Sequence, residues 1–176
     1  KIVILANKEK IPITPMGGGF TLSALTVPIK GGIVLDTKRM DKITEVNEKS
    51  KYATVEAGVS QGALKSYLEK NYPHLQHSVP EAPPTATVVG NALICGHGHL
   101  TPIHNVNSNM INGMEVVLPT GEVMKTGSAA LCNNWWGRGA IPDLGALFYA
   151  WQGTTGICTK MAIEIYPNLP YNCLLY

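Results

Sequence analysis

The chain has 176 residues, 45% of them hydrophobic and 15% charged, with a formal net charge of +2. That length suits one domain or two small lobes on a shared core, and the composition is too apolar for a disordered chain. Lys and Arg are scattered with no basic stripe, which speaks against a nucleic-acid binder, and no apolar run reaches membrane-spanning length.

The first ten residues, KIVILANKEK, place Ile2, Leu5 and Ala6 at helical spacing and read as the tail of an amphipathic helix begun earlier. With Lys1 rather than Met at the start, a fragment is expected. IPITP then reads as a short strand bounded by prolines, and GGIVLDT as an apolar strand from Gly31 to Thr37. The charged run KRMDKITEVNEKSK suits a solvated hairpin face. ATVEAGVS, Ala53 to Ser60, alternates like a strand, and Ser60 is a good N-cap for a helix with Leu64, Tyr67 and Leu68 on one face. Pro73 ends it.

The long polar and Pro-rich stretch from Pro73 to Asn105 exceeds a typical connection, and such loops are usually functional. GMEVVLPTGEVMKTG is a hairpin around a Pro-Thr-Gly turn. PDLGALFYAWQG reads as a short helix with Asp143 as N-cap and Gly153 at its end. A last strand carries Ile157, Thr159, Met161, Ile163 and Ile165 in alternation. Short strands with two or three helices make the class α+β rather than doubly wound, with a division near Ser50. Cys95, Cys132, Cys158 and Cys173 show no CxxC spacing, so reduced thiols and a cytoplasmic location are expected.

Three consecutive glycines, Gly17 to Gly19, fail both standard phosphate motifs. A Rossmann turn needs Gly where Leu22 stands, and no Gly-Lys-Ser/Thr occurs for a P-loop. Successive N–H groups in a tight Gly turn still form a nest for an anion, with Thr21 and Ser23 as added hydroxyls. The plainer alternative is a strand connection needing positive φ. A second stretch with Gly90, Gly96 and Gly98 among Thr85, Thr87 and Asn91 favours the nest, because two such loops can clamp one polyphosphate ligand.

In this order, the segments PITPMGGGFTLSALTVPIKGGIVLDT through GALKSYL, TVVGNALICGHGHLTP, GMEVVLPTGEVMKTG and WQGTTGICTKMAIEIYP resemble the FAD-binding domain of the p-cresol methylhydroxylase and vanillyl-alcohol oxidase superfamily. The likeness covers roughly Ile2 to Pro167. It implies a two-subdomain fold with FAD between the parts: a smaller subdomain over 1–50, a larger one over 51–167, and 168–176 leading to an absent substrate domain. It implies cofactor contacts from Met16, Gly17, Gly18, Gly19, Phe20, Thr21 and Leu22. The second jaw would be Pro80, Thr85, Thr87, Gly90, Asn91, Gly98, Thr101 and Pro102, and the segment from Gly153 would add Gly156 and Ile157. Met16 takes a position often basic in the family, so backbone dipoles rather than a cation would meet the pyrophosphate.

Relatives with doubly attached flavin, like the berberine bridge enzyme, carry a His after the first glycines and a Cys before a Pro-Thr. Here those places hold Gly19 or Phe20, and Pro83, so neither attachment is expected. The resemblance implies hydride transfer from a small alcohol, phenol or 2-hydroxy acid, and assembly with a second copy or a partner subunit. A flavin-carrying module without its own catalysis is the alternative.

The catalytic base is not assigned. For Asp143 the helix-cap role outweighs a carboxylate turned toward flavin. Cys95, His97 and His99 alternate as on one strand face, and His104 follows, but no second cluster has metal-ligand spacing and no metal is expected. Arg138 is read as solvated rather than holding an anion. Trp135, Trp136 and Trp151 are read as core rather than stacking platforms.

Overall fold

The computed structural model describes residues 1–168. The expected linker from 168 onward and Cys173 therefore lie almost wholly outside the described residues. Helix α1, Ile2–Glu9, ends at Lys10, whose left-handed φ of 53° turns the chain into strand β1, Ile13–Met16. β1 pairs in parallel with β2, Ile33–Asp36, from Ile13 opposite Ile33 to Met16 opposite Asp36. Between them runs a crossover without a helix, and it carries the three glycines.

The larger unit is a five-stranded antiparallel sheet in the order β3-β4-β8-β6-β7. Its strands are β3, Ile43–Asn47; β4, Tyr52–Glu56; β6, Ile111–Val117; β7, Val123–Lys125; and β8, Ile157–Glu164. The charged run, residues 38–51, supplies β3 and the turn into β4, and the large sheet begins at Ile43, ahead of the division read near Ser50. Val55, Met161 and Met114 stand side by side across the three central strands, all without solvent exposure. Burying apolar side chains of this size contributes roughly 1.5–3 kcal/mol each.

One face of the sheet is covered by helix α2, Gln61–Asn71, and helix α3, Val88–Leu93, through Leu64, Leu68, Val88, Val89 and Ala92. The other face packs Tyr52 and Ala162 on Ala129 and Trp135. α2 starts where its cap is: Ser60 Oγ accepts from Ala63 N at 3.1 Å. Tyr67 lies at the edge of that helix, half-exposed against Tyr72, rather than inside the apolar face.

The long Pro73–Asn105 stretch is not structureless. It holds β5, Leu75–Gln76; α3; and the short helix α4, Thr101–His104. β5 pairs with β9, Tyr166–Pro167. Thr87 caps α3, its Oγ1 accepting from Gly90 N at 3.2 Å.

The helix expected over PDLGALFYAWQG shrinks to one 3-10 turn, Gly145–Leu147. Asp143 Oδ1 accepts from Gly145 N at 2.8 Å, closing the chain locally, and left-handed backbone at Ala150, Gln152 and Gly153 stops any continuation. Cys95, His97 and His99 are not on a strand either. Cys95 has φ 57° just past α3, and the following residues form a loop.

Candidate functional site

The two units meet at a cavity of about 210 Å³. Its floor and walls come from the end of β1 and the Gly turn, the start and body of α3, and the segment leading into β8. No charged side chain lines it among the described residues.

The glycines are explained by what touches them. A Cβ on Gly17 would overlap Thr87 Oγ1, and one on Gly18 would stand 2.9 Å from both Ala86 Cα and Thr85 O. The turn is therefore pressed backbone-to-backbone against the entry to α3. The N–H groups of Gly17, Gly18, Gly19, Phe20 and Thr21 donate to no protein acceptor among the described residues. Thr21 Oγ1 is buried and unpartnered as well. Successive N–H groups without protein partners beside an unpaired hydroxyl are the donor set from which anion nests are built. The buried Thr21 hydroxyl wants a partner, and together with the unpaired N–H groups of this partly exposed turn it is a donor set that fits a pyrophosphate.

Of the residues expected at the site, Met16, Gly17, Gly18, Gly19, Phe20 and Thr21 line this cavity from one side. Thr87, Gly90, Asn91, Gly156 and Ile157 line it from the other. The rest stand elsewhere. Leu22 is fully exposed, and Thr85 offers only its backbone to the Gly turn. Pro80 is buried near the loop after α3, Gly98 packs on Ser78, and Thr101 Oγ1 accepts from Gly98 N at 2.8 Å. Pro102 is exposed in α4.

Sequence reasoning missed several wall residues. Thr37 follows β2 and donates from its N–H to Met16 O at 2.9 Å. Ala57, Ala86, Val89 and Leu93 are ordinary apolar residues delivered by β4 and α3, with nothing in their types to mark them. Gln152, with φ 55°, carried a signal only in its backbone. Cys158 stands on the wall with its thiol donating to Lys160 O, and burial pushes its pKa up to about 12.

The remaining candidates have other employment. Arg138 is neither solvated nor free for an anion. Its Nε donates to Ile111 O at 3.1 Å, its Nη2 to Ser108 O and Asn109 O, and its Nη1 lies 3.6 Å from Asp143 Oδ2. It pins the 138–143 loop to the turn before β6. His99 Nδ1 accepts from Val79 N and its Nε2 pairs with Gln76 Oε1, while His104 stacks on Tyr166. Trp135 is core, whereas Trp136 and Trp151 are exposed. Among the described residues no group of three or more His, Cys, Asp and Glu could hold a metal ion, and no helix is long and apolar enough to cross a membrane.

A fold of this kind, with a Gly turn and a short helix closing on one charge-free cavity, is that of a dinucleotide-cofactor domain without a Rossmann turn. The family model described as "FAD binding domain" matches residues 1–127, and the chain belongs to that family. The 4-cresol dehydrogenase [hydroxylating] flavoprotein subunit of Pseudomonas putida is 37% identical over 96% of this chain and 33% of its own length. The glycolate oxidase subunit GlcD of Bacillus subtilis is 31% identical over 96% of this chain and 34% of its own. Among solved structures, 4-ethylphenol oxidase from Gulosibacter chungangensis superposes with a TM-score of 0.83 at 36% identity, covering 96% of this chain and 33% of that one. The p-cresol methylhydroxylase structure with substrate bound gives 0.76 at 30% identity, with the same coverage. The chain thus spans about a third of the length of these relatives.

Proposed function

We infer that this chain is the cofactor-holding domain of an FAD-dependent oxidoreductase that oxidises a small phenol, alcohol or 2-hydroxy acid. One observation carries the reading: Gly17 to Thr21 line one cavity opposite α3, and their five successive N–H groups and the Thr21 hydroxyl have no hydrogen-bond partner among the described residues. Bound FAD would supply a two-electron acceptor for hydride.

The chain's own part is to hold and shield. The N–H groups of Gly17 to Thr21 would neutralise a pyrophosphate by dipoles. Thr87, held as the cap of α3, keeps the opposite jaw in place. Val89, Leu93, Ile157 and Cys158 offer an apolar wall that keeps water away from whatever rests on it.

The division into lobes belongs to the same reading, with α1, β1 and β2 as the smaller part and the sheet from β3 onward as the larger. The substrate site would be completed by chain outside this stretch, as the length of the relatives suggests. The names of the relatives at 36–37% identity contain cresol and ethylphenol, which supports a phenol first. Cys95, Cys132 and Cys158 are free thiols, which supports a reducing, cytoplasmic setting. The "flavoprotein subunit" relative supports assembly with a partner subunit or a second copy.

The test is anaerobic reduction of the flavin of the full protein by a panel of 4-alkylphenols, small alcohols and 2-hydroxy acids. Bleaching by one class is the expected result. A yellow protein that none of them bleaches would leave a flavin-carrying module in place of a catalytic domain.

A further inference from the structure

Beside the main cavity lies a second one of about 10 Å³, with Gln61, His77, Ser78, Ala92, Asn107 and Glu164 on its wall. That is the space of a single water, which a polar cavity retains when roughly 2–4 polar groups surround it. Two of the lining residues carry a polar side-chain atom that is buried and unpartnered: Ser78 Oγ and Asn107 Oδ1. Both residues are only 6% exposed. Neither atom reaches the other, and leaving both unsatisfied is costly. His77 stands next to them in neutral form, because burial pushes its pKa down to about 3, and its Nε2 pairs with Gln61 Oε1 at 2.9 Å.

Asn107 ties this cluster to the main cavity. Its Nδ2 donates to Asn91 Oδ1 at 2.5 Å and to Ser78 O at 3.5 Å. Its backbone N–H donates to Gly96 O at 2.9 Å. Asn91 itself lines the main cavity. One residue thus joins α3 and the segment after β5 through its side chain and the loop after α3 through its backbone, with one side-chain acceptor, Oδ1, left over.

We propose that the small cavity is a site for one resident water, hydrogen-bonded to Ser78 Oγ and donating to Asn107 Oδ1, and that Asn107 fixed in this way is the positioning residue for Asn91 at the cofactor wall. The water site stands on the geometry alone. The role toward Asn91 rests on reading the main cavity as the FAD site.

Two measurements on the full chain test it. A crystal structure that resolves waters should show one ordered peak within hydrogen-bond distance of both Ser78 Oγ and Asn107 Oδ1, with or without FAD. A dry cavity, or a direct Ser78–Asn107 hydrogen bond, overturns the proposal. The second compares FAD binding and the visible spectrum of the bound flavin in wild type, Asn107→Leu and the milder Ser78→Ala. The dissociation constant should rise about tenfold for Asn107→Leu and less for Ser78→Ala, with a changed flavin spectrum in the former. A folded Asn107→Leu protein with wild-type affinity and spectrum overturns the positioning role. If Asn107→Leu does not fold, a Ser78→Ala protein with unchanged affinity does so. Failure of the wild type to bind FAD would count against the cofactor reading, and the water peak alone would then decide this one.

Discussion

Replacing Gly18 with Ala tests the contact on which the cavity is built. The added Cβ would lie 2.9 Å from Ala86 Cα and from Thr85 O. Both obstacles are backbone, so neither can rotate away, and the Gly turn must retreat from α3 by a few tenths of an ångström. Overpacking of this kind costs about 1–3 kcal/mol. Spent wholly on separating the two jaws, that raises the FAD dissociation constant roughly 5- to 150-fold. The assay is titration of the apoprotein with FAD, followed by quenching of flavin fluorescence, with thermal unfolding run alongside. Gly137→Ala is the control, because nothing stands within 4 Å of its Cβ position and its φ is not positive. A Gly18→Ala protein that binds FAD as tightly as the control and melts with it would refute the close-approach argument.

Other expectations follow from the same structure. Ser60→Ala and Thr87→Ala each remove a helix cap and should cost about 1 kcal/mol of stability, but only the Thr87 change should also weaken FAD, since only Thr87 lines the cavity. Mass mapping after alkylation at pH 8 should find exposed Cys132 modified and Cys158 untouched until the protein unfolds, because burial holds the Cys158 thiol near a pKa of about 12. For His77 the folded pKa is about 3, below the ordinary 6.5, so the unfolded chain binds a proton that the folded one refuses. Stability should then fall as pH drops from roughly 6.5 towards 3, by about 1.4 kcal/mol per pH unit from this group. Denaturant unfolding of wild type and His77→Gln across that range should show a shallower slope in the variant, and parallel slopes would contradict the assignment.

Much of this molecule can be read from residues whose effect is local. Ser60 announces α2, the Pro-Thr-Gly turn announces the β6–β7 hairpin, and the glycines mark the close approach at the cavity. What escaped depends on distant parts meeting. α3 was hidden because Val88, Val89 and Gly90 are poor helix formers, and it stands by packing on β4 and β8 through Val88, Val89 and Ala92. The helix expected after Asp143 stops at one 3-10 turn, although Asp143 Oδ1 accepts from Gly145 N as a cap would. Left-handed backbone at Ala150, Gln152 and Gly153 breaks it, and the residue types did not announce that conformation at Ala150 or Gln152. Arg138 looked solvated because its four acceptors come from segments about thirty residues upstream and from Asp143 nearby. On the cavity wall, Ala57, Leu93 and Cys158 have no distinguishing chemistry and become site residues only by register and packing.

The central claim is that the Gly17–Thr21 turn and α3 together hold FAD. The most direct measurement is the visible absorbance of the full protein, purified and then precipitated with acid. The account predicts the two-band spectrum of oxidised flavin, with the residues of this stretch forming no bond to it, so any covalent retention in the pellet must map to a peptide outside residues 1–168. A colourless protein that takes up no added FAD, or flavin bonded to a residue of the Gly turn, would contradict it.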